Sequence, residues 1–241
     1  MKKSKIAVLV AMVVVLAFSL AACGGSDKSS SDKTVYKVGT EPTFPPFDTT
    51  DEDQNIVGLD MDLIKAIGED QDFDVEFENL SFDGLIPALK AGNIDIVAAG
   101  MNKDDEDRQK EVDFSDSYYE SKLFVAVTED NTTIKSVEDL TPDMKVAAQT
   151  GTTGASKVKE LKDAGKIKEA VILDGLDTCM MKLINGDVSA VINDKPVTEA
   201  YMKKQPDKIK MVGEALNAEN YGFAVQKGNA ELVEKINNGL K

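Results

Sequence analysis

The chain has 241 residues, carries 28 Lys and Arg against 43 Asp and Glu for a formal charge of −15, and holds two cysteines but no histidine or tryptophan. That charge argues against nucleic acid and anionic membrane surfaces as partners, since both would repel it, and mildly favours a cationic or zwitterionic ligand. The missing histidine and scarce cysteine exclude His/Cys metal clusters and a histidine general base.

Residues 1–22 have the pattern of an export signal. Lys2, Lys3 and Lys5 precede an apolar run from Ile6 to Phe18, shorter than a membrane span, and small residues lead to Cys23. Leu20-Ala21-Ala22-Cys23 resembles the lipobox of bacterial lipoproteins, which implies that Cys23 is acylated and becomes the new N-terminus. Residues 23–33 are rich in Gly, Ser, Asp and Lys and read as a flexible tether. Removing the signal takes three lysines with it, and the formal charge becomes −18. About 208 residues follow the tether, enough for one large domain or two small lobes. With Cys23 acylated, Cys179 has no partner for an internal disulfide and is expected to be buried and inert.

In chain order, Thr34 to Gly39 predicts a strand leading into Glu41-Pro42-Thr43-Phe44-Pro45-Pro46-Phe47. Three prolines there rule out regular helix or central strand, and the two aromatics are either a core plug or a binding surface. Asp60 is expected to cap a helix bearing Met61, Ile64 and Ile67 on one face, and residues 72–78 alternate as a half-buried strand. Ser81 caps the next helix, Gly92 ends it, and Ile94 to Ala99 predicts a buried strand. This strand–helix alternation suggests a mostly parallel sheet with helices on its faces. Arg108 follows near the sheet's C-terminal edge, where open α/β sheets place ligands.

Strands are predicted at Leu123–Thr128, Met144–Gln149, Val171–Leu173, Val188–Ile192, Ile209–Val212 and Tyr221–Val225. A short helical turn covers Ser136–Leu140, and helices run from about Ser156 to Ala164, from Asp177 to Gly186, from Asp194-Lys195-Pro196, and from the cap Asn229. Phe82-Asp83, Ile86, Leu89, Gly92, Ile94 and Ile96-Val97 recur 94 positions later as Leu176-Asp177, Met180, Leu183, Gly186, Val188 and Ala190-Val191. The echo favours two lobes of one design with a cleft between them.

Four constellations stand out. Arg108 is the only arginine in the chain; with Gly100 and Asn102 it offers a guanidinium and amides suited to a carboxylate, against the alternative of a surface ion pair with Asp104 to Asp107. Thr150-Gly151-Thr152-Thr153-Gly154 at a helix N-terminus suits an anion, or is an ordinary capped turn. Asp194 after a buried strand suits an ammonium, or is simply an N-cap. Phe44 and Phe82 could sandwich a side chain with Glu41 supplying charge, while plain core packing fits Phe47 best. Asp51, Asp53, Asn55 and Asp62 have calcium-loop spacing, but Ile56 stands where the loop needs Gly.

The Glu41–Phe47 loop, Gly58-Leu59-Asp60-Met61-Asp62-Leu63, Phe82-Asp83-Gly84-Leu85-Ile86-Pro87-Ala88-Leu89, Asp113-Phe114-Ser115 and Gly151-Thr152-Thr153-Gly154 together resemble the polar amino acid-binding proteins of bacterial ABC importers, the family 3 solute-binding proteins. The resemblance runs from Val35 to the end. It implies an α/β, two-lobed periplasmic-binding-protein-like fold of type II, each lobe a mainly parallel sheet flanked by helices, with the ligand cleft between lobes. Lobe 1 is expected over 34–122, completed by 216–241, and lobe 2 over 123–215.

Carried over by position, Arg108, Asn102 and the Gly100 backbone would hold the α-carboxylate, with an amide from Thr153. Asp194 would take the α-ammonium, Phe44 and Phe82 would flank the side chain, and Glu41 and Gln149 would lie near its tip. Asn102 stands where the family usually has Thr, and the Gly100–Arg108 interval is one residue longer than usual. The implied function is capture of a free L-amino acid (basic, or glutamine) for an ABC permease, without cofactor, metal or catalysis. The protein is expected to be a monomer held on the extracytoplasmic face of the membrane by lipid on Cys23. The rival readings are a sensory amino acid-binding module and a dehydratase on the same fold.

Overall fold

The computed structural model describes residues 33–241. The expected export signal, the expected acylation site at Cys23 and nearly all of the expected tether lie outside the described residues. The chain first forms β1 (Thr34–Thr40), a small hairpin of β2 (Thr49–Thr50) and β3 (Ile56–Val57), α1 (Leu59–Asp70), β4 (Phe73–Asn79), α2 (Phe82–Lys90), β5 (Ile96–Val97), α3 (Glu106–Glu111) and β6 (Val112–Phe114). It then crosses through β7 (Tyr119–Ser121) into β8 (Leu123–Thr128), β9 (Lys145–Gln149), α4 (Thr153–Asp163), β10 (Glu169–Leu173), α5 (Leu176–Ile184), β11 (Ala190–Asp194), α6 (Lys195–Lys204) and β12 (Ile209–Val212). A return through β13 (Glu219–Tyr221) leads to β14 (Ala224–Gln226) and α7 (Ala230–Gly239).

Two five-stranded sheets result, ordered β4-β1-β5-β14-β6 and β10-β9-β11-β8-β12. Each is parallel except for one reversed strand, β14 or β8. Both reversed strands adjoin a crossover between the lobes, so the chain enters each sheet from the opposite end there.

Period-two alternation sorts side chains between layers. Ile96, Ala98, Phe223 and Val225 pack under α1 and α7, against Met61, Ile64, Ile67, Leu232 and Ile236. Val97, Ala99 and Ala224 face the other way, against Leu85 and Leu89 of α2. The second sheet repeats the scheme: Val125, Val127, Val146, Ala148 and Ile192 meet α4, while Ala126, Ala147 and Val191 meet α5 and α6. Cys179 is fully buried in the latter layer, and burial pushes its thiol up to about 12.

The internal echo is reproduced to the residue. α2 and α5 each span nine residues at the 94-position offset, and Gly92 and Gly186 both adopt positive φ, 73° and 77°, just past their helix ends. β5 then pairs parallel with β1 as β11 does with β9.

Three expectations are corrected. Asp60 does not cap α1; Gly58 holds that position and Asp60 is fully buried within the first turn. α4 starts at Thr153 rather than near Ser156, because the Thr152 hydroxyl caps it by accepting from Ala155 N–H at 3.1 Å. The single strand expected at Tyr221–Val225 is two: β13 pairs with β7 in a two-stranded crossover ribbon, and β14 joins the first sheet. Asp51 accepts from Asp53 N–H, Asn55 N–H and the Asn55 amide, so its oxygens close a turn.

Candidate ligand-binding site

Arg108 sits on α3, whose cap Asp105 accepts from the Asp107 and Arg108 amides. Asn102 Oδ1 accepts from Asp104 N–H at 3.0 Å, closing a turn before α3. The guanidinium is 9 % exposed and points into the seam between lobes. Nη1 donates to the Asn102 carbonyl (3.1 Å) and Nη2 to the Gly151 carbonyl of the second lobe (2.9 Å). The half-buried Phe82 ring lies 5.4 Å from its central carbon, a cation–π contact. The surface ion pair with Asp104 to Asp107 is therefore not what Arg108 makes. Burial pulls its pKa down, and Asp105, Glu219 and Asp194 push it back up.

Asp194 occupies the N-cap position of α6, yet its carboxylate makes no capping bond. Oδ1 instead accepts from Tyr221 OH at 2.6 Å and Ser121 Oγ at 2.9 Å, both on the crossover ribbon. Glu219, 1 % exposed, pairs with Ser121 across the ribbon and accepts from the Asn217 amide at 2.8 Å. Burial, then the Glu219 charge, pushes Asp194 up to about 8. Nothing local in the sequence marks Ser121 or Tyr221 as partners of Asp194.

A second bridge lies further along the seam. Gln149 Nε2 donates to Glu41 Oε2 (2.8 Å) and to the Asp174 carbonyl (2.9 Å). Thr43 receives Tyr201 OH on its carbonyl and Leu176 N–H on its hydroxyl. Burial raises the Glu41 pKa, opposed by bonds from Gln149 and Thr43 and seconded by the Asp177 charge. Phe44 and the fully buried Phe47 plug into a cluster with Leu176, Tyr201 and Tyr221, so the Pro-stiffened loop ties the lobes together.

Gly100 differs from expectation. The Gly100 N–H donates to Asp60 Oδ2 at 2.8 Å, an oxygen that also receives Tyr118 OH at 2.7 Å. That amide is engaged inside the first lobe and is not available to a carboxylate. Phe82 lies against Arg108 and braces the guanidinium. Asn102 likewise supports Arg108 through its carbonyl. Thr153 opens α4, where first-turn amides have no intrahelical partner.

Gly100 has φ +53°, and an added Cβ would lie 2.6 Å from Phe44 Cε1. Gly100→Ala is expected to lower stability by about 1–3 kcal/mol through strain and displacement of that ring. Urea unfolding checks it, and an unchanged midpoint would count against the packing described.

A family model described as bacterial extracellular solute-binding proteins, family 3, matches residues 36–241. A probable histidine-binding protein of Neisseria gonorrhoeae is 33 % identical over 234 residues, covering 93 % of this chain and 85 % of that protein. An ancestral arginine-binding protein bound to arginine superposes with a TM-score of 0.82 at 44 % identity, over 86 % of this chain and 91 % of the other. A second structure of an ancestral arginine-binding protein, bound to glutamine, gives 0.79 at 45 % identity with the same coverage.

Proposed function

The chain belongs to the bacterial extracellular solute-binding proteins, family 3, and from that premise we propose that it captures a free amino acid between its lobes for delivery to an ABC-type importer. The observation that carries this reading is the pairing of opposite charges across the seam. A buried guanidinium from the first lobe, already bonded to the Gly151 carbonyl across the seam, and a buried carboxyl at the end of β11 in the second supply the two charges. A zwitterion answers both: its carboxylate takes the Arg108 fork and the first-turn amides of α4 at Thr153, and its ammonium takes Asp194.

The side-chain end favours a basic amino acid. Glu41 is buried with only neutral donors and feels the further charge of Asp177, so a guanidinium or ammonium there would relieve both. Phe44 walls that end. Relatives named for histidine and arginine, and a structure bound to glutamine, accord with this frame. Closure is a hinge motion at the Ser121-Lys122 and Glu219–Tyr221 crossovers, and a ligand touching both lobes stabilises the closed state. In this reading the protein works outside the cytoplasm as a monomer, tethered by lipid on Cys23, with the permease as its partner.

A thermal-shift screen of free amino acids tests the proposal. Arginine, lysine or ornithine is expected to give the largest stabilisation, about 2.7 kcal/mol at a hundred times the dissociation constant. A screen in which no amino acid shifts the melting temperature would sink it.

A further inference from the structure

Glu41 enters the seam from the Pro-stiffened loop and is 8 % exposed. Two neutral donors converge on its Oε2, Gln149 Nε2 of the second lobe and the Thr43 hydroxyl of its own loop, each at 2.8 Å. The same hydroxyl accepts from Leu176 N–H at 3.2 Å. Leu176 is the first residue of α5, and Gly175 before it supplies no side-chain cap. An amide at that position has no partner within its helix, so Thr43 of the other lobe satisfies it. The bonds therefore run in one direction across the seam, from the positive end of α5 through the Thr43 hydroxyl to the Glu41 carboxylate. A hydroxyl that accepts such a bond donates more strongly in turn. The Thr43 carbonyl takes a separate bond from Tyr201 OH at 3.0 Å, which ties the lobes without reaching Glu41.

We propose that Thr43 is a positioning residue for side-chain selection: its hydroxyl relays the docking of α5 to Glu41, so that closing the lobes orients the acid that holds a cationic side chain. Opening separates Leu176 from Thr43 and Gln149 from Glu41. The carboxylate then loses one donor outright and the support behind the other. A charged side chain is thus told from a neutral one of the same shape in the closed state. L-Arginine and L-citrulline are such a pair, since a ureido group replaces the guanidinium at equal length.

The inference rests on the amino acid-binding reading, and the test separates the two. Calorimetry with both ligands measures the preference for arginine in the wild type and in variants. Thr43→Val keeps the shape and removes the hydroxyl; it should weaken arginine binding about thirtyfold and citrulline binding about threefold, so the preference falls about tenfold. Thr43→Ser retains a hydroxyl and should keep the wild-type preference. Tyr201→Phe removes only the bond to the Thr43 carbonyl and should weaken both ligands alike, by about fivefold. A preference in Thr43→Val equal to that of the wild type, with arginine still bound, overturns the relay and leaves the amino acid reading intact. A wild type that prefers citrulline, or binds neither, also overturns it; binding of another amino acid then preserves the wider reading, and binding of none defeats both. If Thr43→Val does not fold, hydrogen exchange at the Leu176 amide of the wild type decides. Arginine should slow that exchange by at least about tenfold, because no bond within α5 protects the amide. Exchange that arginine leaves unchanged overturns the proposal.

Discussion

Replacing Arg108 with lysine is expected to weaken amino acid binding by about a hundredfold, a loss of about 2.7 kcal/mol. Charge is conserved in that substitution, so the effect isolates geometry. The guanidinium bonds in two directions at once, to the Asn102 carbonyl in its own lobe and the Gly151 carbonyl in the other, while its face rests on Phe82. A carboxylate approaching from the seam meets a planar fork already oriented by those contacts. A lysine ammonium has no fork, is more strongly hydrated, and would lose that hydration in a site where even the arginine is almost fully buried. The native fold should survive, because the three contacts bind Arg108 to main chain and to a half-exposed ring. Calorimetry paired with thermal melts makes the measurement. An unchanged dissociation constant with a normal melt removes Arg108 from the carboxylate site.

How much of this was legible in the sequence depends on the range of each interaction. The α2/α5 echo was fully legible, because helix, terminal glycine and following strand are local features repeated at one offset. Arg108 was legible through rarity and position, although its partner Gly151 lies 43 residues away and no pattern connects the two. Asp60 was misread for a local reason: an acid just before an apolar helical stripe has the form of an N-cap. Only the folded chain shows it buried against Gly100, 40 residues on, and Tyr118. The Tyr221–Val225 segment was misread because alternation cannot reveal that a strand leaves one sheet and enters another. The burial of Glu219 was invisible for the same cause, since it emerges from the pairing of two crossover strands far apart in the chain.

Asp194→Asn is expected to move binding and ligand-free stability in opposite directions. Its folded-state pKa of about 8 lies above its ordinary value of 3.8, so the folded protein keeps a proton that the unfolded chain has shed between those two values. Stability from this group is therefore fully present below about pH 4 and declines as pH rises towards 8, by about 1.4 kcal/mol per pH unit for one proton. Asp60, pushed to about 7 by burial, adds a slope of the same sign that the variant retains. The asparagine keeps an oxygen for Ser121 and Tyr221 but carries no charge to set against Glu219. The variant should lose part of the alkaline decline and equal or exceed the wild type in urea unfolding at pH 8, while the two differ less at pH 5. Binding should fall by about a hundredfold or more, because the ammonium has lost the counter-ion whose buried charge the site carries for it. If the variant is less stable than the wild type at pH 8 and still binds, Asp194 is a structural residue and the ammonium is held elsewhere. If it is more stable and no longer binds, the cost of burying the Asp194 carboxyl has been traded for the capacity to receive a cation.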